Sequence, residues 1–434
     1  MTVSKYYQEI YEYLNSIPIY DTHEHLAPCE AAREKETDIL REYLRHYMAS
    51  SVISAGLSQK DFLYVRDASK PLMERWNVVE PYWEYNRHTG YGQAIDISVK
   101  KLYGYDAFNK KNLPALNEAF LKTLKQDDYY GYILKDICHI RKSILDPQVG
   151  SIQEIKGYSF DFNYFAPVLR VDSFVCPQDT LQIYEREQET GITVRNLDSY
   201  VEMCIAYIGM LLSKGGYIGL KCALAYKRTL EFDRVSKYEA EKAYNAVRND
   251  MSDMKRNYGI AFAKCLQDYI MREIMKYADS KHLFMQVHTG MFEGNHNTIQ
   301  NAKPTHLTSL VLDYPHVTFD IFHIGYPWTS EIVAMAKMLP NVVADMAWAH
   351  IISPKKSVDT LSDMLDAVPA NKIFGFGGDY AIIDCVVGHR ELAVRNISNV
   401  LAEKVNDGYM DATRAKEIGK LILHDNPKNL YFDK

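Results

Sequence analysis

Two histidines at alternate positions, His23 and His25, follow a short apolar segment near the start of the sequence. Side chains at positions i and i+2 of a strand point to the same side, so these two imidazoles can bind one metal ion together. Neutral imidazole is a common ligand of Zn²⁺ and of related metals. A His-x-His pair also arises by chance in a chain with 14 histidines, so it indicates a metal site only alongside further ligands.

Further ionisable residues come directly after apolar segments that are typical of buried strands: Lys221, His288, His323, Asp345 and Asp379. The active sites of parallel α/β barrels are built at the carboxyl ends of their strands. One such residue alone is more often structural, and we interpret Asp345 in that way. The ordered series as a whole predicts a shared active site.

The elements that must position these residues are short strands alternating with helical segments. The six clearest candidate strands are 17–20, 217–220, 283–287, 317–322, 341–344 and 372–376, and two weaker ones are 137–145 and 165–175. Alternation of strands and helices is typical of βα units and a parallel sheet. Eight strands predict a (β/α)8 TIM barrel. We expect residues 1–434 to form one barrel, with residues 30–135, which are charged and helix-prone, as a helical insertion after the first strand.

Composition narrows the function classes. The chain has 50 Lys+Arg against 56 Asp+Glu, a net charge of −6, and 47% hydrophobic residues. These values are typical of a soluble globular protein and disfavour nucleic acid as a partner. The sequence shows neither a signal peptide nor an apolar run long enough to span a membrane. Its seven cysteines form no C-x-x-C motif, which favours reduced thiols in the cytoplasm. We expect a homo-oligomer that acts on a small molecule.

Several motifs together resemble the amidohydrolase superfamily, in particular its amidohydrolase-related branch, which includes domains fused to glutamine-synthetase-like domains. They are DTHEHL, GLKCALAYKR, QVHTG, FHIGYPW, LPNVVADM, FGGD and ILHDNPKNLY. The resemblance implies a metal bound by His23, His25, His288 and Asp379. It also implies that His323 lies beside the metal as a ligand or as a catalytic group.

Lys221 has three possible roles. In binuclear relatives a lysine on the fourth strand is carbamylated and bridges two metals. In this chain Lys221 is followed by Tyr226 and Arg228, and these three residues could instead bind an anionic substrate, because Arg offers a fork for a carboxylate and Lys a point charge. That role requires the chain to leave the strand after Lys221. The third possibility is a structural ion pair.

The resulting hypothesis is a metal-dependent hydrolase that cleaves a C–N or C–O bond of a small substrate, which we expect to bear a carboxylate. Zn²⁺ is the expected metal, with Mn²⁺ or Fe²⁺ as alternatives, and it would lower the pKa of water. Asp379 would move the proton, and His323 would assist that transfer or stabilise the oxyanion. A non-oxidative decarboxylase or a uronate-isomerase-like enzyme could use the same site. A metal-free binding barrel is a third, less favoured hypothesis.

Overall fold

The computed structural model describes residues 5–147, 159–177, 180–248 and 263–433. Its strand segments are all parallel to their neighbours. They are β1 (Ile19–Glu24), β2 (Ile140–Leu145), β3 (Phe165–Pro167), β4 (Leu169–Arg170), β5 (Leu220–Cys222), β6 (Phe284–Val287), β7 (Thr318–Ile321), β8 (Val342–Asp345) and β9 (Ile373–Phe374).

The strands close into a barrel. They pair in the orders β1-β2-β3 and β4-β5-β6-β7-β8-β9. The two sheets are continuous because β3 and β4 are one barrel strand interrupted at Val168, whose N–H donates to the Leu145 carbonyl at 2.9 Å. On the other side, the Thr22 N–H donates to the Phe376 carbonyl at 3.1 Å and the Asp379 N–H to the His23 carbonyl at 2.7 Å. The predicted (β/α)8 TIM barrel is confirmed.

Each predicted strand overlaps an observed one, but the bounds differ; the predicted strand 217–220, for example, shares only Leu220 with β5. The region 165–175 is extended only as far as Arg170 and continues as the short helix Asp172–Val175. The Asp172 carboxylate at the start of this helix accepts a hydrogen bond from the Ala223 N–H, which holds the helix against the neighbouring segment. The first strand is longer than predicted, so His23 lies within β1.

The helix Lys5–Ser16 precedes the barrel. Six α-helices lie between β1 and β2, and the π-helix Gly131–Ile137 follows them: Ile39–Tyr43, Tyr47–Ser54, Gln59–Val65, Leu72–Asn86, Gly90–Tyr103 and Leu113–Thr123. The later helices are Thr180–Thr190, Leu197–Lys214, Lys237–Arg248, Lys264–Ser280, Thr308–Asp313, Thr329–Met338, Ala349–Ile352, Pro354–Ala367, Ile383–Asn406, Ala412–Lys420 and Asn426–Tyr431. Among the described residues, no helix is both long enough and apolar enough to cross a membrane.

The helices between β1 and β2 are anchored to the helix Ile383–Asn406. Its buried Asp384 accepts hydrogen bonds from the hydroxyls of Tyr43, Tyr103 and Tyr129. The backbone of this helix touches the backbone of the helix Gly90–Tyr103 at Gly388, where a Cβ atom would lie 1.9 Å from the Ala94 carbonyl oxygen. This close contact fixes the helical segment over the barrel.

Candidate active site

A cavity of about 300 Å³ lies at the carboxyl ends of the strands. It is lined by residues from the barrel and from the helical segment after β1. These are His23, His25, His46, Tyr47, Arg170, Lys221, Ala223, Tyr226, His288, Glu293 and Asp379. The structure therefore brings the four predicted metal ligands to one cavity.

His23 and His25 both point an imidazole nitrogen at the carboxyl group of Asp379. The His25 Nδ1 lies 2.8 Å from the Asp146 carbonyl, so this nitrogen carries the proton and Nε2 keeps a lone pair. That Nε2 lies 3.2 Å from the Asp379 Oδ1, and His23 Nε2 lies 3.5 Å from the same oxygen. The other nitrogen of His23, Nδ1, is buried without a hydrogen-bond partner among the described residues.

His288 and His323 repeat this arrangement. His288 Nε2 lies 2.9 Å from the Met291 carbonyl, and His323 Nδ1 lies 2.8 Å from the Ala347 carbonyl. These carbonyls assign the protons, so the remaining nitrogens, His288 Nδ1 and His323 Nε2, both present lone pairs at a separation of 3.0 Å. The His323 Nε2 also lies 3.6 Å from the Asp379 Oδ2.

Facing lone pairs repel unless a cation or a proton lies between them. A proton on the imidazoles is disfavoured, because burial lowers the pKa of His25 to about 4 and holds the pKa of His23, His288 and His323 well below its usual range. Burial raises the pKa of Asp379 to about 8, and a cation beside its carboxyl group would lower that pKa and replace the proton. A divalent cation could be coordinated by all of these lone pairs, and imidazole together with carboxylate is a ligand set that suits Zn²⁺. The residues present therefore fit a metal.

Asp146 is a further metal-ligand candidate that the sequence analysis missed. Ligand atoms of His23, His25 and Asp146 all lie within 4.8 Å of one another. Asp146 directly follows β2 and could have been found by the same strand-end rule. Its carboxylate is also bound by Arg170, whose Nη2 lies 2.5 Å from Oδ2, and this guanidinium contributes to lowering the pKa of Asp146 to about 2.

Two cationic groups in the cavity have unused N–H donors. Lys221 Nζ is buried without a hydrogen-bond partner among the described residues and lies 3.8 Å from the centroid of the Phe322 ring. Burial lowers its pKa to about 8. The Nε of Arg170 likewise has no partner within the described part of the chain. Buried donors of this kind favour an acceptor supplied by a ligand.

Tyr226 reaches the cavity and Arg228 does not. The chain leaves β5 after Cys222 and turns through a short 3₁₀ helix, Leu224–Tyr226. Tyr226 then lines the cavity, whereas the Arg228 Nη1 forms an ion pair with Asp268 at 2.7 Å. The remaining donors of Arg228 bind the carbonyls of Thr229 and Glu231. The guanidinium expected to bind substrate is thus fully engaged in the fold.

We expect Arg228→Gln to destabilise the protein without changing substrate binding. The substitution leaves the carboxylate of buried Asp268 with Lys264 as its remaining ion-pair partner. Partial loss of a buried pair should cost about 1–3 kcal/mol. Thermal unfolding should show the loss, and steady-state kinetics should show an unchanged KM. A raised KM at wild-type stability would return Arg228 to the substrate site.

Three other cavity residues were not anticipated: His46, Tyr47 and Glu293. His46 and Tyr47 belong to the helical segment after β1, where no periodicity or motif indicates a catalytic function. One indication that they belong to a functional site appears only in the structure. The backbone is left-handed at His46 (φ 56°), His323 (φ 64°) and Asp379 (φ 54°). Such conformations cost about 1–3 kcal/mol each and cluster at functional sites.

Asp345 is not among the residues that line the cavity. Its Oδ1 accepts a hydrogen bond from the Ala347 N–H at 2.6 Å, and burial holds the pKa of its carboxyl group well above the usual range. Both features agree with its interpretation as a structural residue.

The fold and the site together define a TIM barrel with candidate metal ligands at the ends of its strands. A family model described as "Amidohydrolase" matches residues 177–432. The chain belongs to this amidohydrolase family.

A distantly related protein matches about half of the chain. Protein fluG of Emericella nidulans is 22% identical over 241 residues, which are 54% of this chain and 28% of that protein. The chain therefore matches less than a third of the fluG protein.

Several solved structures share the fold over nearly the whole chain. A uronate isomerase of Thermotoga maritima has a TM-score of 0.77 at 16% identity and covers 99% of this chain and 98% of its own. A glucuronate isomerase of Caulobacter crescentus has a TM-score of 0.75 at 20% identity, covering 98% and 93%. A protein of Lactobacillus casei described as a metal-dependent hydrolase has a TM-score of 0.66 at 15% identity, covering 98% and 97%.

Proposed function

We propose that the protein is a metal-dependent hydrolase that cleaves a C–N or C–O bond of a small, carboxylate-bearing substrate. The observation that carries the proposal is the pairing of two unsatisfied sets of groups in one cavity. Lone pairs of four histidines and Asp379 converge there, and neither Lys221 Nζ nor Arg170 Nε has an acceptor among the described residues. A metal and an anionic substrate together would satisfy both sets.

The metal would be held by His23, His25, His288 and Asp379, with Asp146 and His323 close enough to contribute. Zn²⁺ is our first choice because it suits imidazole and carboxylate ligands, and Mn²⁺ or Fe²⁺ are alternatives. When bound, such a metal acidifies water and polarises a carbonyl group. The Nδ1–H of His25 on the Asp146 carbonyl holds the ring in position, as hydrogen bonds to ligand imidazoles commonly do.

Residues of the chain would carry out proton transfer and orient the substrate. Asp379 takes a proton from the attacking water and returns it to the leaving group, so it acts first as a base and then as an acid. Its position is fixed because its backbone carbonyl accepts a hydrogen bond from the Tyr47 hydroxyl at 2.5 Å. His323 lies next to the Asp379 Oδ2 and can assist this transfer. Lys221, Arg170 and Tyr226 orient the substrate through its carboxylate.

An isomerase of sugar acids is the second candidate. It is favoured by the uronate isomerases that share the fold over almost the whole chain, including the segment between β1 and β2. Aldose–ketose isomerisation of a sugar acid would also place a carboxylate-bearing substrate next to a metal. In that reaction Asp379 would move a proton between adjacent carbon atoms instead of between water and a leaving group.

The masses of the products separate these reactions. Metal-loaded protein would be incubated with N-acyl amino acids, small lactones that carry a carboxylate, glucuronate and galacturonate. Hydrolysis adds the mass of water across the products, isomerisation leaves the mass unchanged, and decarboxylation releases CO₂. We expect hydrolysis of at least one amide or ester. Turnover of the uronates alone, without a change of mass, would replace the hydrolase proposal by the isomerase.

Arg170→Gln should raise KM for a carboxylate substrate by about ten- to a hundredfold, since a hydrogen bond to a charged group is worth roughly 1.5–3 kcal/mol. The neutral amide of the same substrate should be affected less. Steady-state kinetics on the two substrates measure the difference, and Arg228→Gln is the matched control because its guanidinium lies outside the cavity. Since Arg170 also holds buried Asp146, Lys221→Gln serves as a second variant if Arg170→Gln unfolds. Equal losses on both substrates would contradict carboxylate binding.

A further inference from the structure

A second cavity, of about 330 Å³, adjoins the active-site cavity. Tyr47 and Glu293 line both cavities, so the two spaces share a boundary. We call the second one the aromatic groove. It lies between the helix Tyr47–Ser54, the helix Leu72–Asn86 and the loop after β6, and its aromatic lining residues are Tyr47, Tyr85, Tyr91, Phe292 and Trp348.

The aromatic side chains of the groove form a rigid wall. Tyr47 stacks on Trp348 with ring centroids 4.3 Å apart and on Tyr91 with centroids 5.4 Å apart. The loop after β6 is fixed against this wall, because the N–H of Gly294 donates to the Ser50 hydroxyl at 3.0 Å. The Glu293 N–H donates to the Tyr226 hydroxyl, also at 3.0 Å. The groove is thus formed in advance of any ligand.

Glu293 gives the groove its charge. It is the single charged side chain among the described residues that line the groove; the others are aromatic, aliphatic or neutral polar groups such as Ser51 and Asn86. No ion pair with another described residue neutralises its carboxylate, and partial burial raises its pKa. A half-buried carboxylate in such a groove favours a cationic ligand because its negative charge attracts cations. The exposed ring of Tyr85 adds an aromatic face that attracts cations as well.

We propose that the aromatic groove is a distal subsite that binds a protonated amine of the substrate, with Glu293 as its ion-pair partner. This inference rests on the proposed function, since it extends a substrate whose carboxylate is bound by Arg170 and Lys221. The full substrate would then carry a carboxylate at the metal end and an ammonium group at the groove end. An anionic distal group is disfavoured by repulsion from Glu293.

The test measures binding of small probes to the metal-loaded protein by isothermal titration calorimetry. The probes are 2-phenylethylamine and 2-phenylethanol, which have the same ring and chain and differ in the charge of the head group. We expect the amine to bind about five- to tenfold more tightly, the range for one charge-assisted hydrogen bond at a partly exposed site. In Glu293→Gln this preference should disappear.

Glu84→Gln is the matched control, because Glu84 is exposed on the groove helix Leu72–Asn86 but does not itself line the groove. It removes the same charge and should keep the preference for the amine. Equal binding of the amine and the alcohol by the unsubstituted protein would overturn the inference, as would a preference that survives in Glu293→Gln. These measurements need no turnover, so their failure is distinguishable from failure of the hydrolase proposal.

Discussion

Asp379→Asn should reduce turnover by at least about 10²–10⁴-fold, the contribution of a positioned proton-transfer group. The amide occupies the same space but cannot accept a proton at neutral pH. Folding should survive, because the backbone contacts of Asp379 to His23 and Tyr47 involve its N–H and carbonyl and not its side chain. Steady-state kinetics together with circular dichroism would measure both effects.

Asp345→Asn is the matched control for this experiment. Asp345 also stands at the end of a barrel strand and is buried, but it does not line the cavity. Because burial raises its pKa well above the usual range, a neutral amide is a smaller change at this position. This variant should retain activity. An active Asp379→Asn enzyme with unchanged metal content would assign the proton transfer to another group, with His323 the nearest candidate.

Replacing His23 and His25 together by alanine should reduce bound metal from about one equivalent per chain to a trace, since structural and catalytic sites of this kind need three or four protein ligands. Elemental analysis after dialysis measures the loss. Metal that binds only the folded chain also stabilises it, by about 4 kcal/mol at a thousand times the dissociation constant. A chelator should therefore lower the Tm of the unsubstituted protein and leave that of the double variant unchanged.

His296→Ala is the control for metal binding, because His296 is exposed in the loop after β6 and lies outside the cavity. Full metal content in the double histidine variant would refute the proposed ligand set. Two equivalents of metal together with a modified Lys221 would instead indicate a bridged pair of ions.

The barrel and the strand-end residues could be predicted because both depend on local pattern. Apolar segments define strands, and parallel strands bring their carboxyl ends to one face, so His288 and Asp379 could be placed together without coordinates. The interruption at Val168 was not predictable, since it depends on two hydrogen bonds between segments: the Val168 N–H donates to the Leu145 carbonyl, and the Ile218 N–H donates to the Pro167 carbonyl. No local property of the sequence marks it.

The substrate side of the site was harder to predict than the metal side. Arg228 has the residue type and spacing expected of a substrate-binding group. Its position, however, depends on a turn after β5 and on its ion pair with Asp268, which lies in the helix Lys264–Ser280. Arg170 occupies the cavity instead, at the end of a strand segment too short for a clear pattern. His46 and Tyr47 reach the site through tertiary packing of a long insertion, which residue spacing does not encode.

The closure of the barrel has a consequence for the order in which the protein assembles during synthesis. Strand β1 carries His23 but bonds on one side to β2 and on the other to the chain around Phe376, which lies 354 residues from Thr22. Contacts this distant form late, because long loops must close first. Until the last strand has left the ribosome, β1 has one unpaired edge, and Asp379 is absent from the ligand set. Metal capture should therefore follow completion of the barrel.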